Sequence, residues 1–462
     1  MARSRVLILS HDVVDARMAG PGIRYWELAR VLARSCAVTL AVPWQSSLQA
    51  ADFTLAPYQP GDWPAVRALA AEADVIMPCG NSLHQFPGLA EMERALVVDG
   101  YDPYPAETLS TMLNRSPEEQ ATYHRHLADR IRLECLAGDF FLCASERQRY
   151  WWLGLLAAHG RLNTRTYGAD PTLRNLVDVV PFGCRSEPLQ HTRPVLKGVV
   201  PGIGAGDRVL LWGGGIWEWL DPLTLLRAVH QIVGQHPDLR LVFPGTRHPN
   251  QAVDQMPMTQ RAIELARDLD LLDRHVFFGD WVPYVDWPNY LLEADLGVSL
   301  HFDSLETDLA FRSRILDYIR AGLPMVVTRG DATGEMVTAY DLGIVVDYED
   351  IDGVSRALLG LLAQPYAARQ SQFAEARADL AWERVARPLV TFCHTPHRAA
   401  DHVTPAPGSA ATEIARLEGK VQRQKSENEA LRALVRGYEQ GRFIRFMQKL
   451  QAWRAKFGLG HK

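Results

Sequence analysis

"RVLLWGGG" (208–215), "DPLTLLRAVHQIVGQ" (221–235) and "RLVFPG" (240–245) follow one another closely in the chain. The outer two segments are short apolar runs that end at glycine, whereas the middle segment has the apolar spacing of an amphipathic helix. A strand, a helix and a second strand in this order form a unit whose strands lie parallel in one sheet. This part of the chain therefore predicts an α/β fold.

The same alternation extends in both directions and forms two series, separated by the Pro- and Gly-containing segment "VVPFGCRSEP" (179–188). Ligands of open parallel sheets bind outside the carboxyl ends of the strands. We therefore expect two Rossmann-like, doubly wound domains, residues 1–185 and 186–380, that face a cleft. The other strand-like runs are "RVLILS" (5–10), "AVTLAV" (37–42), "DVIMPC" (74–79), "ALVVD" (95–99), "FFLCAS" (140–145), "VFFGDW" (276–281), "LGVSLHF" (296–302), "PMVVTRG" (324–330) and "GIVVDY" (343–348).

The composition excludes several classes of protein. The 462 residues, of which 47% are hydrophobic, suffice for two domains and an appendage. The net charge of -5 argues against nucleic acid as a partner. The six cysteines form no C-x-x-C pair and follow no secretory segment, so a reducing cytoplasm is expected. The chain contains no run of 18 apolar residues, so no membrane span is predicted. The spacing of Cys393, His394, His397 and His402 does not fit a common metal site.

The C-terminal part of the chain changes character. We expect a helix at 381–400 that packs back towards the N-terminal domain, then a linker at 401–411 and a coiled coil at 412–440. Asn428 occupies one of the a positions of about four heptads, which favours a homodimer. A solvated helix that never pairs is the alternative, because Gly419 and Gly437 weaken the helix.

The segment 441–462 contains six Lys or Arg and no acidic residue. At 100° per residue its aromatic and aliphatic side chains occupy one half of the helical wheel and most basic side chains the other. This pattern predicts a basic amphipathic helix that binds an anionic membrane surface. Docking on the protein's own body or on a partner protein is the alternative.

Two segments have features of an anion site. In "RMAGPGIRYWELAR" (17–30), Gly20, Pro21 and Gly22 lie between the first strand and the first helix, where a ligand can approach the backbone and an anion is favoured. A tight turn also needs glycines, and the spacing is not that of a dinucleotide fingerprint.

In "DLAFRSRILDYIRAGLPMVV" (308–327), Arg312 and Arg314 lie at the expected start of a helix, where two guanidinium groups and the helix dipole favour a pyrophosphate. Ion pairing at the surface is the alternative reading for each arginine. Asp317 follows one turn later, where it accepts hydrogen bonds from ribose hydroxyls or supports the helix start.

These segments together resemble a family 4 retaining glycosyltransferase of the GT-B fold, over roughly residues 4–395. "LDYIRAGLPMVV" is similar to the family's L-E-A-M-A-x-G-x-P-V-V, and "VFFGDWVPYVDWPNYLLEADLGVSL" is similar to its G-x-V-x-x-x-x-L-P-x-Y-L-x-x-A-D. "MAGPGIRYWELARVLA" resembles the glycine loop of the acceptor domain, and "VVPFG" resembles the interdomain P-x-G. The combination looks like a bacterial branch associated with surface-polysaccharide assembly.

The resemblance implies a nucleotide-sugar site in the C-terminal domain and an acceptor site in the N-terminal domain. Asp317 matches the second Glu of the family's donor-binding acidic pair, and the backbone around Val282 matches the part that binds the base. The aromatic side chains Trp217, Trp219, Trp281 and Tyr284 either stack on the base or sugar or belong to the core. The implied donor site comprises Arg312, Arg314, Asp317, Val282, Trp281, Tyr284, Gly214, Gly215 and Gly245, and the implied acceptor or diphosphate loop comprises Gly20, Pro21, Gly22 and Arg24.

The chain departs from the family at two places. The Arg and Lys that neutralise the diphosphate in the family match Gly215 and Leu220 here. The first Glu of the acidic pair matches Leu309, so Glu306 takes that role only if the loop is about three residues longer. We therefore expect Arg312 and Arg314 to replace the missing charges and Glu306 to approach the donor sugar.

Asp99 stands where many relatives carry a His near the donor sugar, and Asp102 follows three residues later. Either is a candidate for orienting the acceptor hydroxyl, although an Asp after a strand is also an ordinary turn or cap residue.

The function implied by the resemblance is retaining transfer of a sugar from a nucleoside diphosphate sugar to a hydroxyl of a glycan or lipid-linked glycan acceptor. It implies no cofactor and no catalytic metal, and the tail suggests a cytoplasmic protein that is peripheral at the inner face of the cell membrane. Two alternatives remain. One is a GT-B scaffold that lost turnover with Gly215 and Leu220 and organises partners through its coiled coil; the other is a sugar-nucleotide epimerase.

Overall fold

The computed structural model describes residues 3–402 apart from 114, 251–252, 254 and 365, together with isolated residues between 420 and 432. The predicted coiled coil at 412–440 lies largely outside the described residues, and the linker beyond residue 402 and the basic helix at 441–462 lie wholly outside them.

The N-terminal half contains a seven-stranded sheet in the order β3-β2-β1-β4-β5-β6-β7, in which every paired strand is parallel to its neighbour. The register pairs Val6 with Val38 on one side of β1 and with Val75 on the other. The strands are β1 (Arg5–Leu9), β2 (Ala37–Pro43), β3 (Thr54–Tyr58), β4 (Val75–Pro78), β5 (Ala95–Asp99), β6 (Phe140–Cys143) and β7 (Val177–Val179).

The C-terminal half contains a six-stranded parallel sheet in the order β10-β9-β8-β11-β12-β13. Its strands are β8 (Arg208–Trp212), β9 (Leu239–Pro244), β10 (Val276–Gly279), β11 (Leu296–Ser299), β12 (Met325–Thr328) and β13 (Gly343–Val346).

Helices connect the strands of both sheets. They are α1 (Gly20–Ala33), α2 (Trp63–Ala71), α3 (Ser82–Gln85), α4 (Tyr104–Met112), α5 (Pro117–Ala137), α6 (Glu146–Ala158), α7 (Thr164–Ala169), α8 (Pro222–Val233), α9 (Pro257–Asp268), α10 (Trp287–Glu293), α11 (Leu305–Leu309), α12 (Ser313–Ala321), α13 (Ala332–Ala339), α14 (Ile351–Leu362), α15 (Gln370–Asp379), α16 (Trp382–Val385) and α17 (Arg387–His394), with short 3₁₀ helices at Pro87–Glu91 and Tyr366–Arg369.

The central strands of both sheets are buried along their length, which explains why they read as continuous apolar runs rather than as alternating ones. Burial on both faces requires helices on both sides of each sheet. The described residues therefore confirm the predicted fold class of two Rossmann-like, doubly wound domains.

The strand order reverses direction between β1 and β4 in the first sheet and between β8 and β11 in the second. Both reversal points open towards the same cleft, where the two halves are in contact. The Tyr284 N–H donates to the Ala16 carbonyl at 2.8 Å, the Trp281 indole donates to the Met18 carbonyl at 3.1 Å, and the Gln148 amide donates to the Leu309 carbonyl at 2.7 Å.

The chain crosses back to the N-terminal half after α15. Two short helices, α16 and α17, occupy the segment that the sequence predicts as one helix at 381–400, because Pro388 starts a new helix after Ala386. Phe392 stacks on Phe140 with ring centroids 4.9 Å apart, and the Arg161 guanidinium binds the Asp401 carboxylate at 2.8 Å. The last continuously described residues are thus fastened to the N-terminal half. No helix among the described residues is long and apolar enough to cross a membrane.

Candidate active site

The cleft between the two halves encloses a cavity of about 600 Å³. Its walls come from the loops that follow β1, β8, β9 and β10 and from the ends of α1, α4 and α12. This is the place where open parallel sheets bind ligands. The wall formed by the N-terminal half is called the N-wall below, and the wall formed by the C-terminal half is called the C-wall.

Helix α12 begins at the cleft and supplies the charged part of the C-wall. Ile315, Leu316 and Ile319 fix its inner face in the core. The helix ends at Gly322, which has a φ of 68° that a residue with a side chain adopts only at a cost. No side chain caps the start of the helix, and Ser313 and Arg314 of its first turn line the cavity.

Arg312 precedes α12, and its charge is already neutralised inside the protein. Its two terminal nitrogens donate to the two carboxylate oxygens of Glu306 at 2.6 and 2.7 Å, and its Nε donates to Asp331 at 3.2 Å. All three side chains are buried. Burial raises the pKa of Glu306, and Arg312 opposes that shift. Glu306 lies behind Arg312 and does not line the cavity.

Arg314 differs from Arg312, since no carboxylate binds it among the described residues. Its Nη2 donates to the Gly215 carbonyl at 3.0 Å, and its guanidinium carbon lies 5.0 Å from the centroid of the Trp212 ring. Its Nη1 is buried without a hydrogen-bond partner, although the residue lines the cavity. Burial lowers the pKa of Arg314 to about 10. The guanidinium group therefore has an unused donor and an uncompensated charge at the cavity wall.

Asp317 lies one turn further along α12 and also lines the cavity. Its carboxylate accepts a hydrogen bond from the Trp287 indole at 2.9 Å. Burial raises the pKa of Asp317 to about 6, and the hydrogen bond from Trp287 opposes the shift. Asp317 thus retains capacity to accept hydrogen bonds from a ligand on its cavity side.

The glycine positions predicted for the donor site have different surroundings. Gly214, with a φ of 79°, and Gly215 line the cavity together with Leu220. Gly245, with a φ of 135°, lies behind them, and a Cβ there would come within 3.3 Å of the Gly214 carbonyl. Gly214 and Gly215 therefore leave room for a ligand, whereas Gly245 leaves room for the neighbouring loop.

Trp281, Val282 and Tyr284 all line the cavity, as the sequence reading places them. The indole N–H of Trp281 is used by the Met18 carbonyl, and the Tyr284 hydroxyl donates to Glu27 at 3.3 Å. The side chains of Trp281 and Tyr284 thus line the cleft, and their polar atoms form hydrogen bonds to the N-terminal half.

In the N-wall, Arg24 and Asp99 bind each other. The Arg24 Nε and Nη2 donate to the two Asp99 carboxylate oxygens at 2.7 and 2.8 Å, and both side chains have 0% exposure. The guanidinium also donates to the carbonyls of Val180 at 2.9 Å and Pro181 at 3.0 Å. The structure brings these two predicted residues together, but as a closed ion pair whose charges are compensated.

Gly20, Pro21 and Gly22 start α1 opposite α12. No side chain caps this helix, and a Cβ on Gly20 would come within 3.6 Å of the Ser313 hydroxyl oxygen. A Cβ on Gly22 would lie 2.3 Å from the Val13 carbonyl oxygen, so Gly22 serves close packing. Gly20 and Pro21 line the cavity, so the starts of α1 and α12 meet there.

Asp12, Asp102 and Glu107 are N-wall carboxyl groups that line the cavity without an ion-pair partner among the described residues, and Asp12 accepts a hydrogen bond from the Asn250 side-chain amide at 2.9 Å. Burial raises the pKa of Asp102 to about 7, with Tyr101 opposing the shift. Burial also raises the pKa of Glu107 well above its usual value, and the neighbouring Asp102 and Glu306 add to the increase. Asp102 is therefore partly protonated near neutral pH.

Sequence reasoning did not identify Glu107 or His11 as site residues. An acidic residue in the first turn of a helix is common for dipole reasons alone, so Glu107 had no distinctive signal. His11 directly follows β1, at the reversal point of the first sheet, and this position was a usable signal. Its Nδ1 is buried without a partner, and burial lowers the pKa of His11 to about 4, so the ring is neutral.

The described residues contain no group of three or more His, Cys, Asp or Glu side chains arranged to hold a metal ion. Cys393 is buried in α17, away from the cleft.

Comparisons with known proteins agree with this geometry. Residues 207–364, about a third of the chain, match the domain family described as glycosyl transferases group 1. A segment of 134 residues is 27% identical to the chitobiosyldiphosphodolichol beta-mannosyltransferase of Debaryomyces hansenii and covers 28% of each protein. The chain thus spans less than a third of the length of the curated relatives it matches.

Solved structures match over a larger part of the chain. WaaG, a glycosyltransferase involved in lipopolysaccharide biosynthesis, superposes with a TM-score of 0.57 at 16% identity and covers 85% of this chain and 100% of its own. HepE of Anabaena, solved with UDP and glucose, superposes with a TM-score of 0.58 at 14% identity and covers 85% of this chain and 100% of its own. At these identities the likeness shows the fold, which is GT-B. The C-terminal half therefore carries a group 1 glycosyl transferase domain within a GT-B fold, a combination that supports a glycosyltransferase.

Proposed function

We propose that the protein is a retaining glycosyltransferase that moves a sugar from a nucleoside diphosphate sugar to a hydroxyl of a glycan or lipid-linked glycan acceptor in bacterial surface-polysaccharide assembly. The names of its relatives are consistent with this, since they include a mannosyltransferase, an enzyme of lipopolysaccharide biosynthesis and a protein solved with UDP and glucose.

The observation that carries the proposal is the uncompensated guanidinium of Arg314 at the cavity wall. It lies beside the Gly213–Gly215 backbone, and the uncapped start of α12 is next to it. A diphosphate is the ligand that a guanidinium and free helix N–H groups bind together. Because Gly215 and Leu220 supply no charge, Arg314 takes the role that the family assigns to the missing cations.

The reaction then depends mainly on electrostatic stabilisation. The bond between the anomeric carbon and the diphosphate oxygen breaks, and negative charge develops on the diphosphate next to Arg314. The acceptor oxygen forms the new glycosidic bond on the same face of the sugar, and its proton passes to the leaving diphosphate. No side chain has to act as a nucleophile, and no metal or cofactor is part of the proposal.

The N-wall would then bind the acceptor. Asp102 lines the cavity, and with a pKa of about 7 its carboxyl group both donates and accepts hydrogen bonds near neutral pH. A sugar hydroxyl has the same two capacities. Asp102 is therefore the N-wall residue we assign to orienting the acceptor hydroxyl, in preference to Asp99, which Arg24 occupies.

We further propose that residues 412–440 form a parallel coiled coil and that residues 441–462 bind the inner face of the cell membrane, on the sequence pattern described above. Sedimentation and liposome flotation of the full chain against a 1–402 truncation test both parts. If both proteins sediment as monomers, the dimer is contradicted, and equal flotation would contradict the membrane binding.

Isothermal titration calorimetry with UDP, GDP and dTDP in separate runs tests the donor site. We expect one nucleotide to bind with micromolar affinity and Arg314→Ala to weaken that binding by about tenfold or more, the effect of losing a charge-assisted hydrogen bond. Arg329→Ala is the matched control, because Arg329 belongs to the same domain but is exposed and paired with Asp347.

A GT-B scaffold without turnover remains the second candidate function. Glu306 and Asp331 neutralise Arg312, so the C-wall offers a ligand less positive charge than two free arginines would supply. Absence of binding by all three nucleotides, with and without magnesium, would favour the scaffold over the enzyme.

A further inference from the structure

The loop after β1 brings two further polar side chains to the N-wall, His11 and Asp12. They follow the strand within three residues, at the reversal point of the first sheet, and both line the cavity. The Asp12 N–H donates to the Ser10 hydroxyl oxygen at 3.2 Å, and that hydroxyl donates to the Asp12 carbonyl at 2.7 Å. The Tyr58 hydroxyl donates to the Ser10 carbonyl at 2.7 Å. These hydrogen bonds fasten the start of the loop to the sheet and give both side chains a defined position.

Asp12 is a buried carboxylate with one unused oxygen. The residue is 4% exposed, and its Oδ1 accepts the hydrogen bond from the Asn250 amide at 2.9 Å. Its Oδ2 accepts no hydrogen bond and meets no cation among the described residues, and this atom is not sealed in the interior. A buried carboxylate oxygen needs hydrogen-bond donors. Because Asp12 lines the cavity, Oδ2 is positioned to accept a hydrogen bond from a ligand there.

The ring of His11 occupies space that a glycine leaves open. A Cβ on Gly80, in the loop after β4, would lie 2.2 Å from the His11 Nδ1, and the ring meets Tyr25 edge-on at 5.9 Å. Nδ1 is sealed without a partner, and Nε2 has no partner among the described residues either. In a neutral imidazole one nitrogen donates a hydrogen bond and the other accepts one. Nε2 is therefore the atom through which His11 can bind a ligand in the cavity.

The surroundings of this pair contain more carboxyl groups than available cations. Asp102 and Glu107 line the same cavity without an ion-pair partner among the described residues. Two N-wall arginines also line it in the described part of the chain. Arg130 is held by Glu134 at 2.8 Å, and Arg115 is an exposed residue between α4 and α5. Apart from Arg115, the described N-wall residues thus offer hydrogen-bonding groups and no uncompensated charge that attracts an anion.

Sugar hydroxyls match these groups, because each hydroxyl donates one hydrogen bond and accepts others. The Asp12 carboxylate accepts, whereas His11 and the partly protonated Asp102 both donate and accept. A carboxylate or phosphate of a ligand would instead approach Asp12 without a cation to neutralise it. Such an unpaired contact between like charges lets a site reject one ligand in favour of another.

We propose that His11 and Asp12 bind hydroxyl groups of an uncharged sugar unit of the acceptor, and that Asp12 rejects an acceptor unit that carries a carboxylate or phosphate. This inference names the acceptor class for the proposed function and rests on it. It adds two specificity-determining residues to the wall in which Asp102 orients the acceptor hydroxyl.

Saturation-transfer difference NMR titrations with matched pairs of sugars test the charge preference on the full-length protein. The pairs are the methyl α-glycosides of glucose, galactose and mannose and the corresponding methyl uronides, which differ only in a carboxylate at C6. Each is titrated with and without the nucleotide selected by calorimetry. We expect at least one methyl glycoside to bind and its uronide to bind at least about tenfold more weakly. This comparison uses the wild type, so it does not depend on the folding of a variant.

Two variants separate the charge of Asp12 from the hydrogen bond of His11. Asp12→Asn keeps the shape of the side chain and an oxygen for Asn250, so we expect the ratio between glycoside and uronide affinities to fall to about threefold or less. His11→Phe keeps a ring against Gly80 and removes both nitrogens. We expect it to weaken the glycoside by about fivefold and to leave the ratio unchanged. Asp347→Asn is the control, because it makes the same substitution at a side chain that is 71% exposed and outside the cavity.

The proposal is overturned if no methyl glycoside binds the wild type, if a uronide binds as tightly as its partner, or if folded Asp12→Asn keeps the wild-type ratio. Any of these results together with nucleotide binding would refute the acceptor class and leave the donor site standing. Discrimination between the paired sugars without binding of any nucleotide would support the acceptor class and refute the proposed donor site.

Discussion

The N-wall and the C-wall of the cleft each contain a buried arginine held by both oxygens of a carboxylate, Arg24 with Asp99 and Arg312 with Glu306. The two walls differ in the charged groups that line the cavity without an ion-pair partner among the described residues. The N-wall leaves the carboxyl groups of Asp12, Asp102 and Glu107 without a cation among the described residues, and the C-wall leaves the guanidinium of Arg314 one turn from the carboxyl of Asp317.

A charged residue near a cleft indicates a ligand only if no other residue of the protein neutralises its charge. Closed pairs such as Arg24–Asp99 hold loops in position and have little charge left for a ligand. Among the described residues that line the cavity, a guanidinium without a carboxylate partner is found in the C-wall, whereas the N-wall contributes carboxyl groups. The proposed transfer from a diphosphate depends on such a cation, because negative charge develops on the leaving diphosphate.

Removing one partner from the closed pair of the N-wall should have the largest effect on stability. Arg24→Ala leaves Asp99 buried and unpaired, and we expect a loss of about 3–5 kcal/mol in the free energy of unfolding, measured by urea denaturation. The double variant Arg24→Met with Asp99→Leu should lose less, because no charge remains buried. A loss below about 1 kcal/mol in Arg24→Ala would show that the pair is not closed as described.

The corresponding variant of the C-wall tests whether Arg312 stabilises the fold or binds a ligand. Arg312→Ala leaves Glu306 and Asp331 without their cation, and we expect a loss of about 3 kcal/mol in the free energy of unfolding. Adding Glu306→Gln should recover part of that loss. If Arg312→Ala folds with wild-type stability but no longer binds nucleotide, Arg312 is a ligand residue and the contrast with Arg314 is wrong.

Asp102 should make stability depend on pH. Its folded pKa is about 7, whereas an unfolded Asp titrates near 4. Between these values the folded protein holds more protons than the unfolded chain, so this group lowers stability as the pH rises. Relative to Asp102→Asn, the wild type should lose at most about 1.4 kcal/mol per pH unit across that window.

Urea denaturation at pH 4, 6 and 8 measures the difference between the two proteins. Asp347→Asn is the control, because the Asp347 side chain is 71% exposed. Parallel stability curves for the wild type and Asp102→Asn would contradict the assignment of a raised pKa to Asp102.

Arg314 should contribute least to stability. Arg314→Met keeps the volume of the side chain and removes a buried cation that has no carboxylate, so we expect the free energy of unfolding to stay constant or rise by about 1 kcal/mol. Thermal and urea denaturation check this. A loss as large as that of Arg312→Ala would mean that Arg314 is also a structural residue.

The fold was predictable because the central strands are buried on both faces and so appear as continuous apolar runs, such as "RVLLW" or "PMVV". The partly exposed strands β3 and β7 were not predicted, because they lack such a run. The break between α16 and α17 was missed, although Pro388 marks it. The presence of Arg312 and Arg314 near the site was also predictable. The difference between them was not predictable, because Arg312 is neutralised in part by Asp331, which follows the next strand in the chain.

The partner of Asp99 is 75 residues away in the chain, and no local pattern connects it with Arg24. The raised pKa values of Asp102 and Glu107 likewise depend on burial in the folded protein, which sequence spacing does not reveal. The aromatic segment "WGGGIWEWL" left two readings open in the sequence, ligand stacking or core. In the structure Trp217 and Trp219 line the cavity, which favours the first reading.

Because α17 packs on the N-terminal half, the continuously described chain ends on that half and not on the C-terminal one. Phe392 and Asp401 tie the end of the continuously described chain to that half, through Phe140 and Arg161. Whatever the residues after 402 bind, the N-terminal half is tethered to it directly. The C-terminal half is joined to the N-terminal half by the two crossings of the chain and by hydrogen bonds across the cleft, such as the one from the Tyr284 N–H to the Ala16 carbonyl. Any opening of the cleft to exchange a ligand therefore has to break these hydrogen bonds, while the end of the continuously described chain stays attached to the N-terminal half.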